Sequence, residues 1–95
     1  MAELLICGAE TYLEGKFQKA DVLCSDGCIT EIGPRLKRAN ATEIKAEGLR
    51  LVPGFIDIHT HGAAGVDVNA ADEAGLKKIA AFFASQGTPA WLASV

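Results

Sequence analysis

The sequence predicts an α/β chain in two parts. A β-rich segment fills residues 1–52, and a strand, a helix and a second strand fill residues 53–95. Three observations carry this. Short apolar runs separated by turn residues occupy the first part. A mainly apolar stretch over residues 51–58 then runs into His59-Thr60-His61. Beyond it the apolar period changes from two to about 3.6 residues over positions 72–86, and another apolar run follows.

The elements follow in order. Leu4-Leu5-Ile6-Cys7 is an apolar strand. Residues 12–17 are polar and broken by Gly15, which reads as a hairpin connection. Residues 20–24 form a second strand. Asp26-Gly27 is a hairpin signal, because both residues tolerate positive φ. Residues 28–32 return as a third strand, which Gly33-Pro34 ends. Residues 35–41 are mixed and polar, a loop or one short helical turn. Residues 42–46 and 49–52 read as two further strands around a Glu47-Gly48 turn. The spacing suits a small β-sandwich.

The second part opens with Pro53-Gly54 and a strand over residues 55–61. Side chains alternate along a strand, so Phe55, Asp57, His59 and His61 share one face, and Ile56, Ile58 and Thr60 the other. Gly62-Ala63-Ala64-Gly65 reads as a loop. Leu76, Ile79, Ala80 and Phe83 fall at i, i+3, i+4 and i+7 of a helix that Asn69 or Asp72 caps. Gly87 suits its C-terminal cap, and Pro89 follows. Gly75 inside the helix marks a close approach, since glycine there costs ~1 kcal/mol relative to alanine. Phe82, Phe83 and Trp91 read as core residues. The strand–helix–strand order implies a parallel βαβ unit.

Composition excludes several functions. The chain is 49% hydrophobic and 22% charged with a net charge of −3, which gives no basic footprint for nucleic acid or an anionic membrane. Apolar runs all fall short of the ~20 residues that a membrane helix needs, and the cytoplasm is the expected location. Three cysteines, Cys7, Cys24 and Cys28, read as reduced thiols, small apolar residues of a sheet. The glycines at 62 and 65 lack the following Gly-Lys-Ser/Thr of a phosphate-binding loop.

His59 and His61 are the only histidines in the chain. Neutral imidazole binds zinc, iron or nickel, so two imidazoles in a row at the end of a strand are candidate metal ligands. Asp57 shares their face; it reads as a carboxylate that orients a histidine or a loop rather than as a ligand. Gly62 and Asp67 are candidate pocket residues, with Asn69 beside them.

The run Pro53-Gly54-Phe55-Ile56-Asp57-Ile58-His59-Thr60-His61 resembles the first barrel strand of the metal-dependent amidohydrolase superfamily. The continuation, His61-Gly62-Ala63-Ala64-Gly65-Val66-Asp67 and then Gly87-Thr88-Pro89-Ala90-Trp91-Leu92, resembles its N-acetylglucosamine-6-phosphate deacetylase branch. Dihydroorotases and hydantoinases share the His-x-His strand. Three positions depart from the deacetylase pattern: Lys45 where an acid is usual, Pro89 where threonine is usual, and Ala93 where proline is usual.

The resemblance implies a (β/α)8 barrel beside a small β domain, with this chain holding only its front, since such a barrel takes ~250 residues. It implies that His59 and His61 bind one of one or two divalent ions, zinc first, with iron, nickel or manganese as alternatives. The acid/base aspartate and the remaining ligands are expected beyond Val95, so no catalytic residue lies within the chain. It implies a small amino-sugar phosphate as substrate and a homodimer of the complete protein. The chain alone is expected to be inactive and prone to self-association. Two other readings stand beside this: a cyclic-amide hydrolase, and a small non-catalytic β-rich module in which the histidines are incidental.

Overall fold

The computed structural model describes residues 2–95. The chain divides into two compact units, Met1–Pro53 and Gly54–Val95. Each is described by itself.

The first unit is two small sheets. One has the order β5-β4-β1-β6, built from β1 (Glu3–Cys7), β4 (Asp21–Ser25), β5 (Cys28–Gly33) and β6 (Thr42–Lys45). β1 is antiparallel to β4 and parallel to β6. The other has the order β3-β2-β7, from β2 (Glu10–Leu13), β3 (Lys16–Lys19) and β7 (Arg50–Leu51). Asp26-Gly27 turns between β4 and β5 with φ of 50° and 81°, as its residue types dictate. Residues 12–17, expected to be a connection, instead form a hairpin of their own. Glu14 and Gly15 take φ of 50° and 84°, and the aromatic pair Tyr12 and Phe17 meets across the strands at 5.2 Å between ring centroids. A two-residue turn of this hand matches strand twist, so even a polar sequence pairs. The last expected strand shrinks to Arg50–Leu51.

The core of this unit is small: Leu5, Ala9, Ala20, Val22, Leu23 and Ala46 are buried. Both sheets line an open apolar cleft of about 270 Å³, with Ile6, Val22 and Ile32 on one side and Tyr12 and Leu51 on the other. Of the cysteines, Cys7 and Cys24 are half-buried, and burial raises the Cys7 thiol above its ordinary value. Cys28 is exposed rather than packed, because it opens the outer strand directly after the turn.

Two polar contacts fix the chain between strands. The buried Asp21 accepts from the amides of Gly8 at 2.8 Å and Leu36 at 3.0 Å. Glu3 accepts a forked pair from Arg38, at 2.9 and 3.1 Å, and a third bond from Ser25 at 2.7 Å. The Arg38 guanidinium and then the Ser25 hydroxyl hold the Glu3 carboxyl below the ordinary carboxylate value.

The second unit holds β8 (Ile56–Thr60), a two-residue ladder of β9 (Gly62–Ala63) and β10 (Val66–Asp67), a 3₁₀ turn at Val68–Ala70, helix α1 (Glu73–Ser85) and β11 (Ala90–Ala93). β8 and β11 pair in parallel, Ala90 beside Ile56 and Ala93 beside Thr60, with an irregularity between Trp91 and Ala93. Asp72 is the N-cap, its carboxylate accepting from the Gly75 amide at 2.8 Å. Gly75 is a close approach: a Cβ there would stand 3.2 Å from both Ala71 Cβ and Val66 Cγ1. Gly87 takes φ of 83° just past the helix.

Ile79 alone on α1 is buried. Phe83 packs on Trp91 at 5.7 Å between ring centroids. Phe82, expected in the core, is 42% exposed, because it lies a third of a turn off that contact line. Ile56, Ile58 and Leu92 are also largely exposed, since β8 and β11 make a sheet of only two strands.

Removing the Asp21 carboxylate leaves the amides of Gly8 and Leu36 without their acceptor. Asp21→Ala is expected to lower stability by about 1–3 kcal/mol in urea unfolding; an unchanged midpoint would show that both amides find other partners. Glu3 supplies a pH test. Its folded value is the depressed one, so the contact contributes above the ordinary 4.5 and fades as pH falls through the folded value. By NMR, Glu3 should titrate below 4.5, and Arg38→Ala should bring it back toward that value.

Candidate metal centre

The candidate ligands stand at the C-terminal end of β8. His59 is the fourth residue of that strand, and His61 follows its end. Both are exposed, and their rings lie edge to face with centroids 5.0 Å apart. The side-by-side rings are what strand alternation predicts for positions two apart.

Backbone contacts fix where each histidine sits. The His59 amide donates to Asp57 Oδ1 at 3.0 Å. Asp57 therefore holds the peptide that carries His59. The His61 carbonyl accepts from the Val68 amide at 2.8 Å, at the start of the 3₁₀ turn. Thr60, the one buried residue of β8, bonds through Oγ1 to both the amide and the carbonyl of Gly62, at 3.3 and 3.2 Å.

Residues 62–65, expected to be a loop, form a tight ladder with the residues that follow. Gly62 pairs with Asp67, and Ala63 with Val66. Gly62 has φ of 149°, and a Cβ there would collide with the Val66 carbonyl oxygen. Glycine is therefore required there by contact. Asp67 caps the 3₁₀ turn, accepting from the Asn69 amide at 2.9 Å. That bond uses the carboxylate oxygen locally.

One residue escaped the sequence reading. Ser94 Oγ lies 3.3 Å from His59 Nδ1, and the Ser94 amide donates to the Thr60 carbonyl at 2.8 Å. The signal that finds it is the parallel pairing, which brings the end of β11 beside the end of β8.

Among the described residues, no three His, Cys, Asp or Glu side chains come together as a metal group. Catalytic and structural zinc sites take at least three protein ligands. The donor chemistry of His59 and His61 fits a divalent ion, and the pair supplies part of such a set.

The chain is similar to several known proteins. The N-acetylglucosamine-6-phosphate deacetylase of Lysinibacillus sphaericus is 32% identical over 80 residues, 84% of this chain and 21% of that protein. The dihydroorotase of Carboxydothermus hydrogenoformans is 46% identical over 48 residues, 50% of this chain and 11% of that protein. The allantoinase of Solibacter usitatus is 43% identical over 61 residues, 64% of this chain and 13% of that protein.

The chain belongs to the amidohydrolase superfamily.

A solved prolidase complexed with N-methylphosphonate-L-proline shares its fold, with a TM-score of 0.70 and 22% identity over 95% of this chain and 25% of that one. No family model matches the chain. This amidohydrolase sequence spans between 11% and 21% of the three curated relatives named. The mostly β chain with one helix matches the prolidase along its length. Among the described residues no helix is long and apolar enough to cross a membrane.

Gly62→Ala forces a Cβ against the Val66 carbonyl and a backbone angle that alanine avoids. Strain of this kind is worth about 1–3 kcal/mol, and the variant is expected to lose the β9–β10 ladder and with it the His61–Val68 bond. Amide hydrogen exchange at Val68 would report it, and unchanged protection there would contradict the reading.

Proposed function

We propose that this chain is the metal-binding front of an amidohydrolase that hydrolyses an amide C–N bond, with N-acetylglucosamine 6-phosphate as the substrate of the complete protein. One observation carries the reaction class: two imidazoles side by side at the C-terminal end of a strand that is parallel to the next one. In (β/α)8 barrels the functional residues come from strand ends on that face. The superfamily relationship supports completion of β8, α1 and β11 into such a barrel.

A divalent ion bound there would supply Lewis acidity toward the scissile carbonyl. His59 and His61 would hold it through their ring nitrogens. Asp57 fixes the His59 peptide, and the Gly62 ladder fixes that of His61. The proton to the departing amine comes from an aspartate outside residues 1–95. The products are glucosamine 6-phosphate and acetate. The complete protein is a cytoplasmic homodimer in this reading, with zinc the preferred ion.

The deacetylase assignment is supported by the 80-residue match, which is longer than either unit alone and so draws on both. A second reading has its own support. Dihydroorotase and allantoinase relatives are more identical over shorter spans, 46% over 48 residues and 43% over 61, which favours a cyclic amide as substrate.

Turnover of N-acetylglucosamine 6-phosphate, dihydroorotate and allantoin by the complete protein separates the two readings. Acetate release from the sugar phosphate is expected, and preference for either cyclic amide would replace the first reading by the second. His59→Ala and His61→Ala should each lower turnover by more than the 10–100-fold that loss of an outer-sphere partner costs. The 95-residue chain alone should be inert, and measurable turnover by it would overturn the division of the site.

A further inference from the structure

We infer that Ser94 is a positioning residue for His59: its Oγ accepts from Nδ1–H and leaves Nε2 as the metal-binding nitrogen. The inference rests on the proposed metal role of His59.

The two residues stand 35 positions apart, and their contact comes from the sheet. The Ser94 amide donates to the Thr60 carbonyl at 2.8 Å, which continues the β8–β11 pairing one residue past β11. That bond fixes the Ser94 backbone beside the peptide that joins Thr60 to His61. From there Oγ reaches Nδ1 at 3.3 Å. The His59 backbone is held independently by Asp57. Both ends of the contact are therefore fixed by the main chain.

A neutral imidazole carries one proton, on Nδ1 or on Nε2, and only the unprotonated nitrogen offers a lone pair to a metal. A serine hydroxyl both donates and accepts, so it satisfies either tautomer. The surroundings decide between them. Nδ1 faces Ser94, so a metal on Nδ1 would have to displace the contact, whereas a metal on Nε2 leaves it in place. Metal-bound histidines almost always donate the other ring N–H to a fixed oxygen, and that partner sets tautomer and ring orientation. Asp57 is the obvious carboxylate for the task, but its Oδ1 serves the His59 amide. His61 shows no corresponding contact among the described residues, which makes the two imidazoles unequal.

The test uses the complete protein in metal-free form, uniformly labelled with ¹⁵N, and zinc ion alone as the probe. Long-range ¹H–¹⁵N spectra read the tautomer of each ring, and zinc titration reads which nitrogen shifts. In the wild type His59 is expected as the Nδ1–H tautomer, with zinc shifting Nε2. Ser94→Ala should redistribute the His59 proton between both nitrogens, leave His61 unchanged, and weaken the zinc response at His59 about tenfold. Ser94→Thr keeps the hydroxyl and should restore both. The amide spectrum of each variant checks that the β8–β11 pairing is intact.

A wild-type His59 in the Nε2–H form overturns the inference. So does a Ser94→Ala variant with the tautomer and zinc response of the wild type. A wild type with the expected tautomer whose histidines do not respond to zinc overturns the metal role of the pair, and the positioning role with it. That outcome differs from the others, because there the Ser94–His59 bond itself is present.

Discussion

The parallel pairing of β8 with β11 is the constraint on which the candidate site depends. Parallel neighbours cannot be joined by a tight turn, so the chain must cross back over the sheet before pairing. Here α1 makes the crossing, with Asp72 at its start and Gly87 past its end. Both strands then finish at the same edge. At the opposite edge the Phe55 amide donates to the Gly87 carbonyl at 2.9 Å, and the Gly54 Cα lies close against the Pro89 ring. Register is therefore held at both ends. A slip by one residue would turn His59 to the other face and would move Ser94 away from it.

At the edge that carries the histidines, the main chain does most of the positioning. Asp57 holds the amide of His59, Val68 holds the carbonyl of His61, and Thr60 anchors the turn between them. Gly62 lets the chain fold back tightly enough for the β9–β10 ladder to form. Two exposed imidazoles would otherwise sample many orientations. Held at both peptides, they keep a 5.0 Å ring separation without burial.

The apolar faces follow a different logic. In the first unit the two sheets bury a few small aliphatic residues and leave an apolar cleft open. Its order comes from hydrogen bonds as much as from the core: Asp21 on two amides, and Glu3 on Arg38 and Ser25. In the second unit Ile56, Ile58 and Leu92 face outward at 60% exposure or more. Contiguous apolar surface of this kind marks a face that packs against something else. That agrees with a chain spanning about a fifth or less of its curated relatives.

Much of this was legible in the residues themselves. Asp26-Gly27 dictates its hairpin through positive φ, the 3.6-residue spacing of Leu76, Ile79 and Phe83 dictates α1, and Asp72 dictates where it starts. Alternation along β8 places His59 and His61 on one face, and the Pro-Gly-Phe-Ile-Asp-Ile-His-Thr-His run marks the superfamily. These features are local, and local sterics and hydrogen bonding decide them. The β2–β3 hairpin was not legible, because its strands are polar and only the Glu14-Gly15 turn gives them away. Nor was the exposure of Phe82 or Cys28, which depends on which elements pack where. The local contacts of Gly62 and Asp67 were hidden for the same reason. A Cβ at Gly62 is excluded by Val66 across the ladder, and Asp67 is taken up by the Asn69 amide. The contact between Ser94 and His59 joins residues 35 positions apart, and only the parallel register of the folded sheet brings them together.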